Sequence, residues 1–252
     1  MPFDFQNWMF GFVRASGFVM MLPIFSAANV PVKLRVVFAA TLGMLVAPGM
    51  DAVHAAPTLF GSVSQLASEA LVGVALGFVA RIVIGGFEIA GQLISSELGL
   101  NMSAILNPIS TTPTQAPGMM LLLLATTLLF ALDLHHWLIA GFVKSYTVLP
   151  VGGAHLHEGL LLHFLKLTGQ MFVVAVQMAA PIMAVSFVVI LVFAMLGRAV
   201  TQMNVFSESF AFRIMAGLFV FSATLPLMGQ HIANALRRVP DDMMRVAQWL
   251  GA

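Results

Sequence analysis

Three kinds of side chain in this chain could do chemistry: histidines, serines beside acidic residues, and single charges set inside apolar stretches. His135-His136, His155, His157 with Glu158, and His163 are of the type that binds metals or relays protons. A helical metalloprotease site needs His-Glu-x-x-His, which puts both imidazoles on one face. Here His157-Glu158 is followed by Gly159-Leu160-Leu161-Leu162-His163, so the second histidine comes two positions late. The histidines therefore read as loop or interfacial residues, and no metal is expected. Ser95-Ser96-Glu97 and Ser207-Glu208-Ser209 stand near the ends of apolar runs, where hydroxyls and carboxylates cap helices. No glycine-rich turn presents a serine as a nucleophile, and there is no phosphate-binding loop of the Walker type. The chain has no cysteine, which removes disulfides, thiolate metal sites and cysteine nucleophiles. Neither catalysis nor a cofactor is expected.

The isolated charges are Arg14, Arg81 and Glu88, and composition says what surrounds them. Of 252 residues, 60% are hydrophobic and 8% charged, against roughly 25% charged in a soluble domain. Too few charged side chains are present to cover a soluble fold of this size. Mean hydropathy is +0.99. This describes a membrane protein, in which Arg14, Arg81 and Glu88 would each be costly against lipid. They are expected between helices, facing a bundle interior, a water-filled path or a partner subunit. A net charge of +1 argues against a basic nucleic-acid surface. No basic residue precedes Arg14, so the N-terminus does not read as a cleavable signal peptide.

Charges and prolines divide the chain into runs. Met9–Ala28 is apolar apart from Arg14 and is interrupted by Pro23. Val36–Met50, a run from about Ala70 to Ser96, Met119–Leu132, Leu167–Gly197 and Ile214–Leu236 follow, and a short polar tail ends the chain. A helical span needs ~20 apolar residues. The last two runs meet that length, the first meets it only with Arg14 included, and Val36–Met50 and Met119–Leu132 fall short. The expectation is an all-α integral membrane protein with about six or more helical segments. Strands are not expected, because the runs are long and lack alternation. Gly73-x-x-x-Gly77 and Gly85-Gly86 through Gly91 form a small-residue stripe suited to close helix packing.

Ahead of Met119 lies Asn107-Pro108-Ile109-Ser110-Thr111-Thr112-Pro113-Thr114-Gln115-Ala116-Pro117-Gly118, which reads as a loop. At membrane depth such a stretch must be buried in protein or line a cavity; outside the bilayer it is a connector. Composition leaves both readings open. Most of the 18 methionines and 21 phenylalanines fill gaps in a helical bundle. Met102, Met119 and Met120 flank the loop, where soft side chains could form a compressible seal around a passing chain.

Phe12-Val13-Arg14, Gly17, Pro23-Ile24-Phe25-Ser26 and Pro31-x-x-x-Arg35 resemble the opening of the FliR family, a component of the flagellar type III export gate. The likeness continues through Gly73-x-x-x-Gly77, Glu88-x-x-Gly91-Gln92-Leu93-Ile94 and Gly99-Leu100-x-Met102. It closes with Gly197-Arg198-x-x-x-Gln202-Met203-Asn204-Val205-Phe206, the most specific string. Together the pieces span most of the chain in the family's order. Thr201 stands where the family often has proline, Asn107 where it commonly has aspartate, and Arg213 where it usually has lysine.

The resemblance implies a non-enzymatic subunit packed, as helical hairpins, into a hetero-oligomeric helical export gate. Its implied partners are FliP-like and FliQ-like subunits, an FlhB-like switch subunit and the rest of the export apparatus. Unfolded flagellar proteins would be the cargo, and the bacterial inner membrane at the flagellar basal body the location. It also implies a single membrane domain over 1–252, with a FliP-like half at 1–118 and a FliQ-like half at 119–252. By position, Ile105, Leu106, and Asn107 through Pro117 would form the plug loop. Gln202, Asn204 and Phe206 would lie in a turn at the cytoplasmic entrance. Two other readings stand beside this one: the related injectisome export-gate subunit, and a small-molecule secondary transporter built on Pro23, Pro181, Arg81 and Glu88.

Overall fold

The computed structural model describes residues 4–26, 30–50, 58–100, 116–155, 157–199 and 205–251. Among these, eight α-helices and one 3-10 turn occur, and no strand. The helices are α1 (Phe5–Met21), α2 (Pro23–Ser26), α3 (Val32–Val46), α4 (Leu59–Glu97), α5 (Ala116–Ala131), α6 (Leu134–Val148), α7 (Glu158–Ala199) and α8 (Val205–Gly251).

Local chemistry sets their ends. The Asp4 side chain caps α1, accepting from the backbone N–H groups of Gln6 and Asn7 at 3.0 and 3.4 Å. Pro23 bars the preceding residue from helical geometry, so α1 stops and Leu22 is extended. At the far end of α4, Gly99 takes a φ of +73°. There the Leu100 N–H reaches the Ser95 carbonyl and the Gly99 N–H that of Ser96. That pairing satisfies carbonyls the helix leaves open, and glycine alone enters the left-handed region without penalty. Asp133, at φ +54°, separates α5 from α6.

Four stretches are long and apolar enough to cross a membrane: Val32–Gly49, Leu59–Glu97, Glu158–Ala199 and Glu208–Gly251. α5 and α6 taken together make a fifth, broken at Leu132–Asp133. The all-α membrane reading holds, with several corrections. The run read as Val36–Met50 is an 18-residue stretch from Val32 to Gly49, because the helix takes in Lys33 and Arg35. α5 begins at Ala116, so Ala116-Pro117-Gly118 is its first turn, where proline needs no N–H partner. The expected polar tail is the end of α8. There Val239, Met243, Val246, Ala247 and Leu250 are buried at helical spacing.

The chain forms two compact units. The first holds residues 1–83, 130–168 and 235–252, and the second residues 84–129 and 169–234. Within the first, α1 and α3 run antiparallel. Asn7 donates to the carbonyls of Ala47 and Met50, and Trp8 Nε1 to that of Ala40. A Cβ on Gly43 would stand 2.6 Å from the Phe12 nitrogen, so the helices meet backbone to backbone. α1 also lies along α4, with Gly73 against the Arg14 carbonyl and Gly77 against Phe18 and Met21. The Gly73-x-x-x-Gly77 stripe is thus a packing surface. Phe10, Phe18, Leu76, Val79 and Phe142 fill the core beside it.

Within the second unit, Gly86 receives Met171 and Gly91 meets the backbone of Gly118. Leu98 fits over Gly217 beside Ile182. The Ser186 hydroxyl donates to the Glu97 carbonyl at 3.0 Å, and Phe193 packs on Phe212 with ring centroids 5.1 Å apart.

Candidate functional site

The most polar assembly inside the protein is built around Arg14. The close approach of α1 to α4 over Gly73 brings its guanidinium beside Glu69, one helical turn before that glycine. Nε donates to Glu69 Oε2 at 2.6 Å and Nη2 to Oε1 at 3.1 Å, a two-pronged ion pair with both side chains fully buried. Nη1 donates to Ser145 Oγ at 3.2 Å, and Nη2 also to the Leu149 carbonyl at 3.1 Å. The Tyr146 ring lies 3.8 Å from the guanidinium carbon, a cation–π contact. Glu69 Oε1 further accepts from the Gly152 N–H at 3.1 Å. The Ser145 hydroxyl in turn donates a hydrogen bond to the Phe142 carbonyl at 2.7 Å.

This network joins α1, α4, the end of α6 and the turn after it. A buried charge is tolerated only when paired and hydrogen-bonded, and here both charges are. Glu69 is the residue sequence reasoning missed. It stands just ahead of the apolar run from Ala70, and so it reads as a boundary charge. Its helical phase could have found it, since Glu69, Val72, Leu76, Val79 and Val83 share one buried face.

Of the three charges expected between helices, Arg14 is buried, Arg81 is exposed and Glu88 is half-buried. Arg81 continues the face of Leu71, Val74 and Phe78, which are also exposed in the single chain. Glu88 and Gln92, one turn apart on α4, line a cleft of about 270 Å³ with Gly118, Met119 and Leu122. That cleft stands at the first turn of α5. The contact of Gly91 with Gly118 fixes the start of α5 against α4.

The other expected site residues divide by position. Residues 105–115 of the plug-loop expectation, Met102, Gln202 and Asn204 lie outside the described residues, as does the Phe206 side chain. Ala116 is exposed and Pro117 buried. Met119 and Met120 are exposed, at 60% and 51%. Among the histidines, His157 Nδ1 accepts from the Gly159 N–H and its ring stacks on Trp249, a local role at the start of α7.

Large apolar faces are open. Only 22% of the most apolar window of α7 is buried, and 11% of that of α8. Phe172, Phe187, Met195, Met215 and Phe219 are among the exposed side chains. Faces of this size need lipid or protein against them.

Comparison with known proteins bears on what those faces meet. The family described as bacterial export proteins, family 1, matches residues 5–239. The flagellar biosynthetic protein FliR of Caulobacter vibrioides is 29% identical over 216 residues, 85% of this chain and 86% of that protein. That of Bacillus subtilis is 25% identical over 250 residues, covering 98% and 96%. That of Escherichia coli is 24% identical over 235 residues, covering 92% and 90%.

Proposed function

The chain belongs to the bacterial export proteins, family 1, and from that premise we propose that it is a non-enzymatic subunit of the flagellar type III export gate. In this reading it sits in the bacterial inner membrane at the flagellar basal body. It forms, with FliP-like and FliQ-like subunits, the channel through which unfolded flagellar proteins leave the cytoplasm. An FlhB-like subunit and the remaining export apparatus stand beside it. Residues 1–118 supply a FliP-like half and 119–252 a FliQ-like half.

The observation that carries the reading is similarity along nearly the whole chain to proteins named flagellar biosynthetic protein FliR. The open apolar faces of α7 and α8 support it, because subunits and lipid would cover them. Under the same reading Ile105–Pro117 is the plug. The backbone contact of Gly91 with Gly118 is consistent with that assignment, since it fixes the start of α5 where the assigned segment ends. Gln202, Asn204 and Phe206 belong to the cytoplasmic entrance.

The test is purification of the C-terminally tagged chain from its native membrane in mild detergent, followed by mass measurement of the intact complex. A large assembly containing FliP-like and FliQ-like chains is expected. A stable lone chain or homodimer would overturn the proposal.

A further inference from the structure

At the junction of α5 and α6 the chain brings together three side chains that the export reading does not use. Asp133, His135 and His136 each offer one ligating atom, and these atoms all lie within 4.8 Å of one another. The backbone creates the cluster. Asp133 is the only non-glycine residue with positive φ among those described, and its Oδ1 stands 3.7 Å from His136 Nδ1 in the first turn of α6. The His136 N–H is anchored on the Asp133 carbonyl at 3.1 Å. The two imidazoles follow directly, with ring centroids 4.0 Å apart.

The polar atoms are not consumed by one another. Asp133 Oδ1 and His136 Nδ1 stand 3.7 Å apart, beyond hydrogen-bond reach. His135 Nδ1 is buried and has no hydrogen-bond partner among the described residues. A buried nitrogen left in that state costs free energy, and coordination through that nitrogen would relieve the cost. Two imidazoles with one carboxylate suit a borderline divalent ion such as Zn²⁺, whereas Mg²⁺ and Ca²⁺ prefer all-oxygen sets. Ligands at ~2.0–2.1 Å around a tetrahedral ion lie about 3.4 Å apart. The observed spread is wider, and the exposed Asp133 and His136 side chains, 76% and 70% accessible, have room to rotate inward.

We propose that Asp133, His135 and His136 form a binding site for a divalent transition-metal ion of the zinc type at the start of α6. Three protein ligands leave a coordination position for water, so the site is open rather than caged.

The experiment uses the full chain in detergent, stripped with a chelator and titrated with Zn²⁺ by calorimetry, with melting temperature followed in parallel. One equivalent is expected, with a rise in melting temperature. Asp133→Asn and His136→Ala should each weaken binding at least tenfold and abolish that rise. Because both side chains are exposed, the metal-free variants should melt as the parent does, which separates lost binding from lost folding. His231→Ala, a histidine elsewhere in the chain, should bind as the parent does, and Mg²⁺ should not compete. Absence of saturable Zn²⁺ binding would overturn the proposal. So would equal affinity in His136→Ala and the parent, or equal loss in His231→Ala.

Discussion

Replacing Glu69 with alanine tests whether the Arg14 network holds the first unit together. The change strands a fully buried guanidinium that keeps Ser145 Oγ, the Leu149 carbonyl and the Tyr146 ring but loses both carboxylate contacts. Removing one partner of a buried ion pair costs about 3–5 kcal/mol. For a chain of this size each kcal/mol moves the melting temperature by about 2–4 °C, so a fall of about 6–20 °C is expected. Arg14→Ala should cost at least as much, because Glu69 then keeps the Gly152 N–H as its one remaining contact in this network while a large side-chain volume is emptied. The double replacement Arg14→Met with Glu69→Leu removes both charges and fills the space. It should recover most of the loss, since apolar substitutes for a buried pair are often neutral or stabilising. The assay is thermal unfolding of the purified chain in one detergent, read as a double-mutant cycle. Melting of Glu69→Ala within a degree or two of the parent would refute the reasoning, as would a double variant no better than the single ones.

Two further outcomes follow from the packing. Gly73→Ala drives a methyl group into the Arg14 backbone and Gly91→Ala drives one into that of Gly118, so each should cost about 1–3 kcal/mol and lower the amount of protein in the membrane. Gly169→Ala and Gly229→Ala meet nothing within 4 Å among the described residues and should leave the lone chain unchanged or up to about 1 kcal/mol more stable; equal losses at all four would show that close approach is not the cause. Replacing the exposed Met119 and Met120 by alanine should raise ion leakage across the membrane if they seal the channel, and unchanged leakage in cells carrying both replacements would remove them from that role.

The helical class was legible because apolar runs separated by charges and prolines have few other solutions at this composition. Span boundaries were less so, because helices run past their apolar stretches. α4 starts at Leu59, where Ser62, Ser64, Gln65 and Ser68 dilute the signal, and α8 carries its charged turns on one side while Val239, Met243 and Val246 stay buried on the other. Arg14 could be picked out as an oddity in an apolar run, yet its partner could not. Glu69 is 55 positions away, and contacts at that separation are set by which helices meet, not by local pattern. The histidines were judged on helical spacing, the right rule for ligands within one helix. Asp133, His135 and His136 gather instead through a left-handed residue just outside the helix, which no periodicity reports.

The Arg14–Glu69 pair does something that the surrounding apolar contacts cannot. In a protein with so few charges, helix faces of alanine, leucine, valine and glycine offer many nearly equal ways to slide past one another. A shift of α1 along α4 by one turn, about 5.4 Å, would exchange one set of apolar contacts for another at small cost. The same shift would part Arg14 from Glu69, and a buried charge without its partner is not tolerated. It would also move Gly73 from beneath the Arg14 carbonyl, where no side chain fits. The ion pair and the glycine select one register out of several. Ser145, Leu149 and Gly152 extend that choice to α6 and its following turn. The network therefore contributes specificity more than stability. That choice of register matters in a chain whose α7 and α8 expose so much apolar surface.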